Sequence, residues 1–420
     1  MRNCISSTLL SAAGFVILTA SSYAADAAGP AAAGFNWSGI YIGAGAGAGA
    51  VNHQIGLGPL SFNGIGGEGI FGELTFGYDH MLTDRLLLGG FIDVHMGNIG
   101  PQLEIGPLLE VKFANSYGFD AAARLGYLWN ESTLAYVLGG FTWQHFRLDV
   151  STPGAGFSAD ADRSGYILGV GMETVVGSNW TIKGEYRYAN YGDEAIDGTG
   201  GILTLEPSTH TFHIGANYRF NSDATGPAIA SPAYDWTGFY VGGALGAGEV
   251  VHDISFLGVI GFNGIGGEGV FGELSAGYDH DFGNFVAGIM ADGNISGIST
   301  DLDLSGFGNL VDVKADYGFN ILGRIGVKVN AATLAYALGG YSWAHFKAEA
   351  NPALGGGSLD WSGSGFSIGG GLETVVSSKM TAGIEYRYSH FEKEDFGTAG
   401  AIEVEPSFHT VRLGLKYKFN

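Results

Sequence analysis

Residues 62–80 read FNGIGGEGIFGELTFGYDH, and the second half of this stretch alternates strictly. From Gly72 to Asp79, Glu73, Thr75 and Asp79 fall on one side, while Leu74, Phe76 and Tyr78 fall on the other. A period of two belongs to a strand with two unlike faces. The stretch returns at 262–280 as FNGIGGEGVFGELSAGYDH, with 16 of 19 positions matched at an offset of 200. The copying continues outward. TLAYVLGGFTWQHF at 133–146 returns as TLAYALGGYSWAHF at 333–346, GMETVV at 171–176 as GLETVV at 371–376, and EYRY at 185–188 as EYRY at 385–388. One unit of about 190 residues therefore stands in the chain twice. Solenoid repeats run roughly 20–50 residues, so a period this long marks a duplicated domain.

Composition narrows the class. Arg2, the apolar run from Leu9 to Ala20 and the small residues at Ser22-Tyr23-Ala24 predict a secretory signal peptide over 1–24. That run is too short for a transmembrane helix, and no other stretch reaches ~18 apolar residues. The only cysteine is Cys4, inside the signal, which leaves the mature chain without disulfides or thiolate chemistry. Yet 46% of residues are hydrophobic, 13% aromatic and only 14% charged, less charge than a soluble domain carries. Such a chain either buries a large core or shows apolar surface to lipid. The net charge of −22 argues against a nucleic-acid partner, whose phosphates need a basic surface.

Each unit divides into eight strand-like segments. In the first they are 37–50, 69–82, 86–98, 114–129, 133–149, 164–176, 180–190 and 210–220. In the second they are 236–250, 269–280, 285–294, 315–329, 333–349, 363–376, 380–390 and 409–419. The connections alternate strictly between long and short, with tight turns at Thr83-Asp84-Arg85, Asn130-Glu131-Ser132 and Gly177-Ser178-Asn179. Outer-membrane barrels join their strands in this way, with short periplasmic turns and long outer loops. The faces agree. Lys183, Glu185 and Arg187 share one side of their strand, and Ile182, Gly184, Tyr186 and Tyr188 the other. Charged positions share their face with glycines, which suits a narrow polar lumen inside an apolar, lipid-facing wall. Aromatics crowd the strand ends (Trp37, Tyr41, Tyr78, Tyr127, Trp129, Trp180, Tyr188), as interfacial girdles would. In lipid a sheet must close so that no backbone group is left unpaired. The fold predicted is all-β, a transmembrane antiparallel up-and-down β-barrel.

Both units open on W-[ST]-G-[IF]-Y-[IV]-G, at Trp37–Gly43 and Trp236–Gly242. Both close on an aromatic-ended strand, at Gly215–Phe220 and Gly414–Phe419, after a Glu-Tyr-Arg-Tyr. In these motifs the chain resembles the porin-like outer-membrane β-barrel family of alphaproteobacteria, immunogenic surface antigens related to the OmpA transmembrane barrel. The resemblance covers nearly all of both units. The duplication and the final Asn420 depart from the family pattern. The resemblance implies a Gram-negative outer-membrane location, with the lipid bilayer, lipopolysaccharide and the assembly machinery as partners. It implies that Tyr218, Phe220, Tyr417 and Phe419 on the closing strands carry the assembly signal. Some members of the family are described as haem binders, which makes haem a candidate loop ligand. The ligand's identity is otherwise unknown.

Several constellations compete with that reading. Gly64–Gly69 matches G-x-G-x-x-G, as does the copy at Gly264, but a dinucleotide site needs a strand before it and a helix after it. The segment is expected to be a flexible loop leading into the second strand. The inward charges are Glu73, Asp93, Arg124, Glu173, Lys183, Glu185 and Arg187 in the first unit. In the second they are Glu273, Asp292, Arg324, Glu373, Glu385 and Arg387. Paired carboxylates invite an acid–base or ion-path reading, but buried charges persist only when paired, so a lumen salt-bridge network is expected. The histidines recur as His53/His252, His80/His280, His145/His345 and His210/His409, with no close metal spacing. Loop histidines such as His53 and His210 are the candidates for a haem or metal ligand, although duplication alone explains their pairing. No catalytic set of the kind that modifies lipid A can be assembled, so no enzyme activity, cofactor or metal is assigned.

Sixteen strands can form two small barrels or one wide one. An eight-stranded interior is filled by side chains, and a sixteen-stranded one leaves a water channel. The lead-in to unit one, Asp26-Ala27-Ala28-Gly29-Pro30-Ala31, returns before unit two as Asp223-Ala224-Thr225-Gly226-Pro227-Ala228. The whole mature protein was therefore copied, which favours two tandem eight-stranded barrels. The expected domains are a signal at 1–24, a lead-in at 25–35, repeat one at 36–221, a linker at 222–234 and repeat two at 235–420. A merged sixteen-stranded diffusion porin is the alternative.

Overall fold

The computed structural model describes residues 34–57, 60–192, 194–195, 203–220, 226–227, 229, 231–304, 308–351, 356–396 and 402–419. The expected signal peptide, most of the lead-in, parts of the linker and Asn420 lie outside the described residues. The described elements are all strands. The first repeat holds β1 (Gly39–Leu57), β2 (Leu60–Met81), β3 (Leu86–Gly97), β4 (Gln102–Ile105), β5 (Leu109–Asn130), β6 (Thr133–Thr152), β7 (Ala155–Val175), β8 (Trp180–Asn190), β9 (Glu194–Ala195) and β10 (Leu203–Arg219). The second holds β11 (Gly238–Phe256), β12 (Ile260–Asp281), β13 (Phe285–Leu304), β14 (Gly308–Lys328), β15 (Thr333–Ala350), β16 (Gly357–Ser377), β17 (Met380–Phe391), β18 (Glu394–Phe396) and β19 (Ile402–Lys418).

The seam is resolved by register. β10 runs antiparallel to β1, with Tyr41 opposite Arg219 and Leu57 opposite Leu203. β19 closes on β11 in the same way, with Tyr240 opposite Lys418. Each repeat is thus a closed antiparallel barrel of eight long strands, β1–β3, β5–β8 and β10 in the first and β11–β17 and β19 in the second, and the sixteen-stranded alternative gives way to two. Closure pairs the first and last strands of each repeat with one another, as a lipid environment requires, and β4 in addition pairs with β12 of the other repeat, Ile105 opposite Ile260.

The faces follow the alternation. Leu74, Phe76 and Tyr78 are 62, 56 and 52% exposed, whereas Glu73, Thr75 and Asp79 are 4, 6 and 0% exposed. This is a water-soluble protein turned inside out: apolar side chains outward, charge within. Two aromatic assignments change. Trp37 and Tyr41 are fully buried and belong to the plug, not to a girdle. Tyr41 shares its parity with the inward residues of β1, since Ile40 and Ile42 on either side of it are exposed. Tyr78, Tyr127 and Trp180 do face outward.

The strands run further than alternation predicts. About 10 residues cross the ~25 Å apolar band, yet β2 has 22 residues and β7 has 21. Most of the expected long loops are ladders continuing beyond the membrane. There the hairpins carry Gly, Ser and Asp, and backbone pairing rather than a buried face holds them. Asp149, at the exposed end of β6, accepts a hydrogen bond from Ser158 Oγ on β7 at 2.7 Å. That bond holds the Asp149 carboxyl below its usual range.

The two barrels dock wall to wall, and several polar contacts across them come in pairs related by a pseudo-two-fold axis. Asn130 donates to Thr374 at 3.0 Å and Asn330 to Thr174 at 2.8 Å. On the axis, the Thr133 and Thr333 hydroxyls meet at 2.8 Å. At the opposite end His210 meets Glu268 at 2.8 Å and His409 meets Glu68 at 2.9 Å. Between these poles Met172 and Phe212 pack with Leu372, Ile384 and Val411, all at outward positions. Gly64–Gly69, expected as a flexible loop, is part of β2, and the reason is this contact. A Cβ on Gly66 would stand 2.5 Å from the Cα of Gly266, so only glycine lets the two backbones touch. Lipid supplies no hydrophobic drive between walls, and small residues with buried polar pairs are the usual adhesive there.

Candidate functional site

The lumens are the chemically distinctive feature. In the first barrel Arg124 on β5 reaches across to both sides. Its Nε donates to Asp79 Oδ1 on β2 at 2.9 Å and its Nη1 to Glu173 Oε2 on β7 at 2.8 Å. Arg219 on β10 donates to Glu173 Oε1 at 2.9 Å and lies 2.9 Å from Asp79 Oδ2. Glu173 also accepts from Thr181, and from Asn217 at 3.0 Å. Aromatic faces cap the cations. Arg124 lies 4.9 and 5.0 Å from the Tyr41 and Tyr136 ring centres, and Arg219 lies 4.8 Å from that of Trp37. In this layer two carboxylates meet two guanidinia.

A second layer lies nearer the loops. Arg187 donates to Glu185 at 2.6 Å, to Asp120 at 2.7 Å and to Asp93 at 3.3 Å. Lys183 lies 3.0 Å from Glu73, whose other oxygen meets His213 Nδ1 at 2.6 Å. The second barrel repeats the plan with substitutions. Arg324 binds Asp279 at 2.9 Å and Glu373 at 2.7 Å, and Lys416 stands in for the first barrel's Asn217 by donating to Glu373 at 2.8 Å. Arg387 binds Asp292 at 2.7 Å, pairs with Glu385 and lies 3.4 Å from Glu273, which Arg412 also holds at 2.8 Å.

All thirteen inward charges read from the sequence lie inside their barrels, and each takes part in an ion pair. Asp79, Asp120, His213 and Arg219, with Asp279, Arg412 and Lys416, were not foreseen as members. Parity would have found several of them. Asp79 is six residues from Glu73 on the same face, and Arg219 lies between outward Tyr218 and Phe220. Two cavities, one in each lumen, are each about 40 Å³, room for a few water molecules.

The histidines do not sit where the sequence suggested. His53 and His252 are 1 and 4% exposed and point into the barrels, so neither is an accessible loop ligand. His53 packs edge-on to Phe113, with ring centres 5.0 Å apart. His210 is engaged at the barrel–barrel contact. The closing-strand aromatics Phe220, Tyr417 and Phe419 are exposed at 51, 42 and 59%. Tyr218 packs edge-on between Trp180 and Phe220, at 5.2 Å from each.

The profile of the outer membrane protein beta-barrel domain matches residues 11–220 and, separately, 224–419. The chain belongs to this family. It is an outer-membrane β-barrel protein carrying two tandem copies of the domain, and family members are barrel proteins of the outer membrane. The 31 kDa outer-membrane immunogenic protein of Brucella melitensis biotype 1 is 28% identical over 203 residues, covering 44% of this chain and 85% of that protein. The 22 kDa outer membrane protein of Rhizobium leguminosarum bv. viciae is 27% identical over 199 residues, 46% of this chain and 82% of that one. Each relative thus spans about one repeat. Among solved structures, Neisserial surface protein A aligns with 44% of this chain and 98% of its own at 17% identity, with a TM-score of 0.28.

Proposed function

We propose that this outer-membrane barrel protein is a non-enzymatic structural element that displays its outer hairpins at the cell surface, and that both barrels are closed to solutes. One observation carries the reading: Arg124 ties opposite walls of the first lumen together through Asp79 and Glu173, and Arg324 does the same in the second. A solute would have to break buried ion pairs to pass, at a cost of several kcal/mol. The partners that fit are the bilayer with its lipopolysaccharide, against the apolar outer walls, and the assembly machinery at the aromatic closing strands. An exported segment at 1–24 would deliver the chain to it.

The experiment is reconstitution of the protein in planar bilayers at graded salt. Silence, or rare unsteady openings, is the expected record. Steady large single-channel conductance would sink the closed-barrel reading and favour a diffusion pore.

A further inference from the structure

The two repeats differ most tellingly inside the lumen. On β3 of the first barrel, Asp93 and His95 are two residues apart and both point inward, facing Asp120 on β5. At the corresponding positions the second barrel has Asp292, Asn294 and Asn320. We propose that the first barrel, and not the second, holds a divalent transition-metal ion of the Zn²⁺ class between Asp93, His95 and Asp120.

Asp93 Oδ1, His95 Nδ1 and Asp120 Oδ1 each lack a hydrogen-bond partner. One donor atom from each of the three residues can be chosen so that all lie within 4.8 Å of one another. Asp93 and Asp120 are almost wholly buried, with side-chain exposures of 0 and 5%. Unsatisfied buried carboxylate oxygens are costly, and an ion among them removes the cost. A tetrahedral Zn²⁺ with ligands near 2.0–2.2 Å sets its donors about 3.4 Å apart, close to the 3.7 Å between His95 Nδ1 and Asp93 Oδ1.

The surroundings orient each ligand. Gln144 Nε2 donates to the Tyr117 carbonyl at 2.9 Å, which fixes the orientation of its amide. Its Oε1 therefore faces His95 Nε2, 2.8 Å away, and that nitrogen must carry the proton. In the neutral ring Nδ1 is then the bare lone pair, 3.7 Å from Asp93 Oδ1, beyond hydrogen-bond reach. A ligating histidine that donates its other N–H to a carbonyl is the usual arrangement at metal centres. The second oxygens of both aspartates are already occupied. Asp93 Oδ2 takes Thr75 at 3.0 Å and Arg187 at 3.3 Å, and Asp120 Oδ2 takes Arg187 at 2.7 Å. Asn115 Oδ1, also without a partner, lines the same small cavity beside His95 and Asp120 and offers a further oxygen.

Charge points the same way. The ion pairs around Arg187 join four carboxylates (Glu73, Asp93, Asp120 and Glu185) to two permanent cations, Lys183 and Arg187, with His213 2.6 Å from Glu73. A cation among the aspartates offsets the excess negative charge. In the second barrel the matching layer has three carboxylates and two arginines, and Asn320 donates directly to Asp292 at 2.6 Å. The second lumen thus satisfies with an amide what the first leaves open. Two carboxylates with one imidazole form a hard-to-borderline set that suits Zn²⁺ and its Co²⁺ substitute.

The test is titration of the full-length, detergent-folded protein, stripped with chelator, with Zn²⁺ by calorimetry and with Co²⁺ by visible absorption. One ion per chain is expected, with Co²⁺ ligand-field bands. His95→Asn and Asp120→Asn each install the residue that the second barrel already carries, and each is expected to abolish stoichiometric binding. Gln144→Ala leaves all three ligands and is expected to weaken binding by about 10–100-fold, the range for losing an orienting partner. Retained heat-modifiable gel mobility reports that each variant has folded. No stoichiometric binding by the wild type, or undiminished binding by folded His95→Asn, overturns the proposal. The first result would mean that a protonated His95 pairs with the two aspartates instead.

Discussion

Arg124→Met is expected to destabilise the first barrel by about 3–5 kcal/mol, measured as a shift in the urea midpoint of the protein folded in phospholipid vesicles. Arg124 is 2% exposed and stands between Asp79 and Glu173. Methionine fills a similar volume but leaves two buried carboxylates to share Arg219. The stacked Tyr41 and Tyr136 rings keep the layer from opening to water, so the unpaired charge has nowhere to go. The loss should come mainly from that stranded charge rather than from the missing contact. Adding Asp79→Asn and Glu173→Gln to Arg124→Met is therefore expected to restore most of the stability, because a neutral layer of the same shape carries no desolvation debt. Arg324→Met should cost about as much in the second barrel, where Lys416 is the remaining cation beside Glu373. A shift below about 1 kcal/mol, the worth of a solvent-exposed pair, would show that the lumen is hydrated and would undo the closed-barrel reading along with it.

How much of this could be read from the residues depends on how local each feature is. The inward charges were legible because parity is local: Lys183, Glu185 and Arg187 betray their face within six residues of sequence. The same rule would have moved Tyr41 inside, but an aromatic at a strand end suggested a girdle and outweighed it. Strand ends were misplaced because alternation stops where the membrane stops, while the ladder does not. From Val51 to Leu57 the apolar rhythm fades, yet each residue is still paired with β10. The barrel–barrel contact was invisible for a different reason. Gly66, Thr133 and Asn130 look like ordinary turn and strand residues until the second copy stands beside them. Once it does, the offset of 200 between Thr133 and Thr333 becomes a symmetry operation as well as a record of duplication. The Asp93–His95 pair was passed over because the histidines were compared between repeats, and this histidine has no copy.

Closure itself is the least local property of all, since a strand alternates identically in a narrow barrel and a wide one. It is open to a binary test. Ala44 on β1 faces Ala216 on β10 in the closing ladder. The ladder sets facing Cα atoms about 4.5–5.5 Å apart, inside the range a disulfide spans. The chain has no cysteine other than Cys4, so an introduced pair has no competitor among residues 34–420. Ala44→Cys with Ala216→Cys is expected to cross-link nearly completely under mild oxidation, giving a reductant-sensitive shift in gel mobility. In a merged sixteen-stranded barrel β10 would instead run beside β11, and Ala216 would face Gly243, the repeat-two counterpart of Ala44. Ala216→Cys with Gly243→Cys is accordingly expected to stay reduced. Reversal of the two results would reopen the seam. It would also require Tyr41 and Arg219 to part, and with them the layer that Arg124 holds. The cross-link and the Arg124 variant therefore interrogate one structure from two sides, since the lumen can be plugged by these charges only if the eighth strand returns to the first.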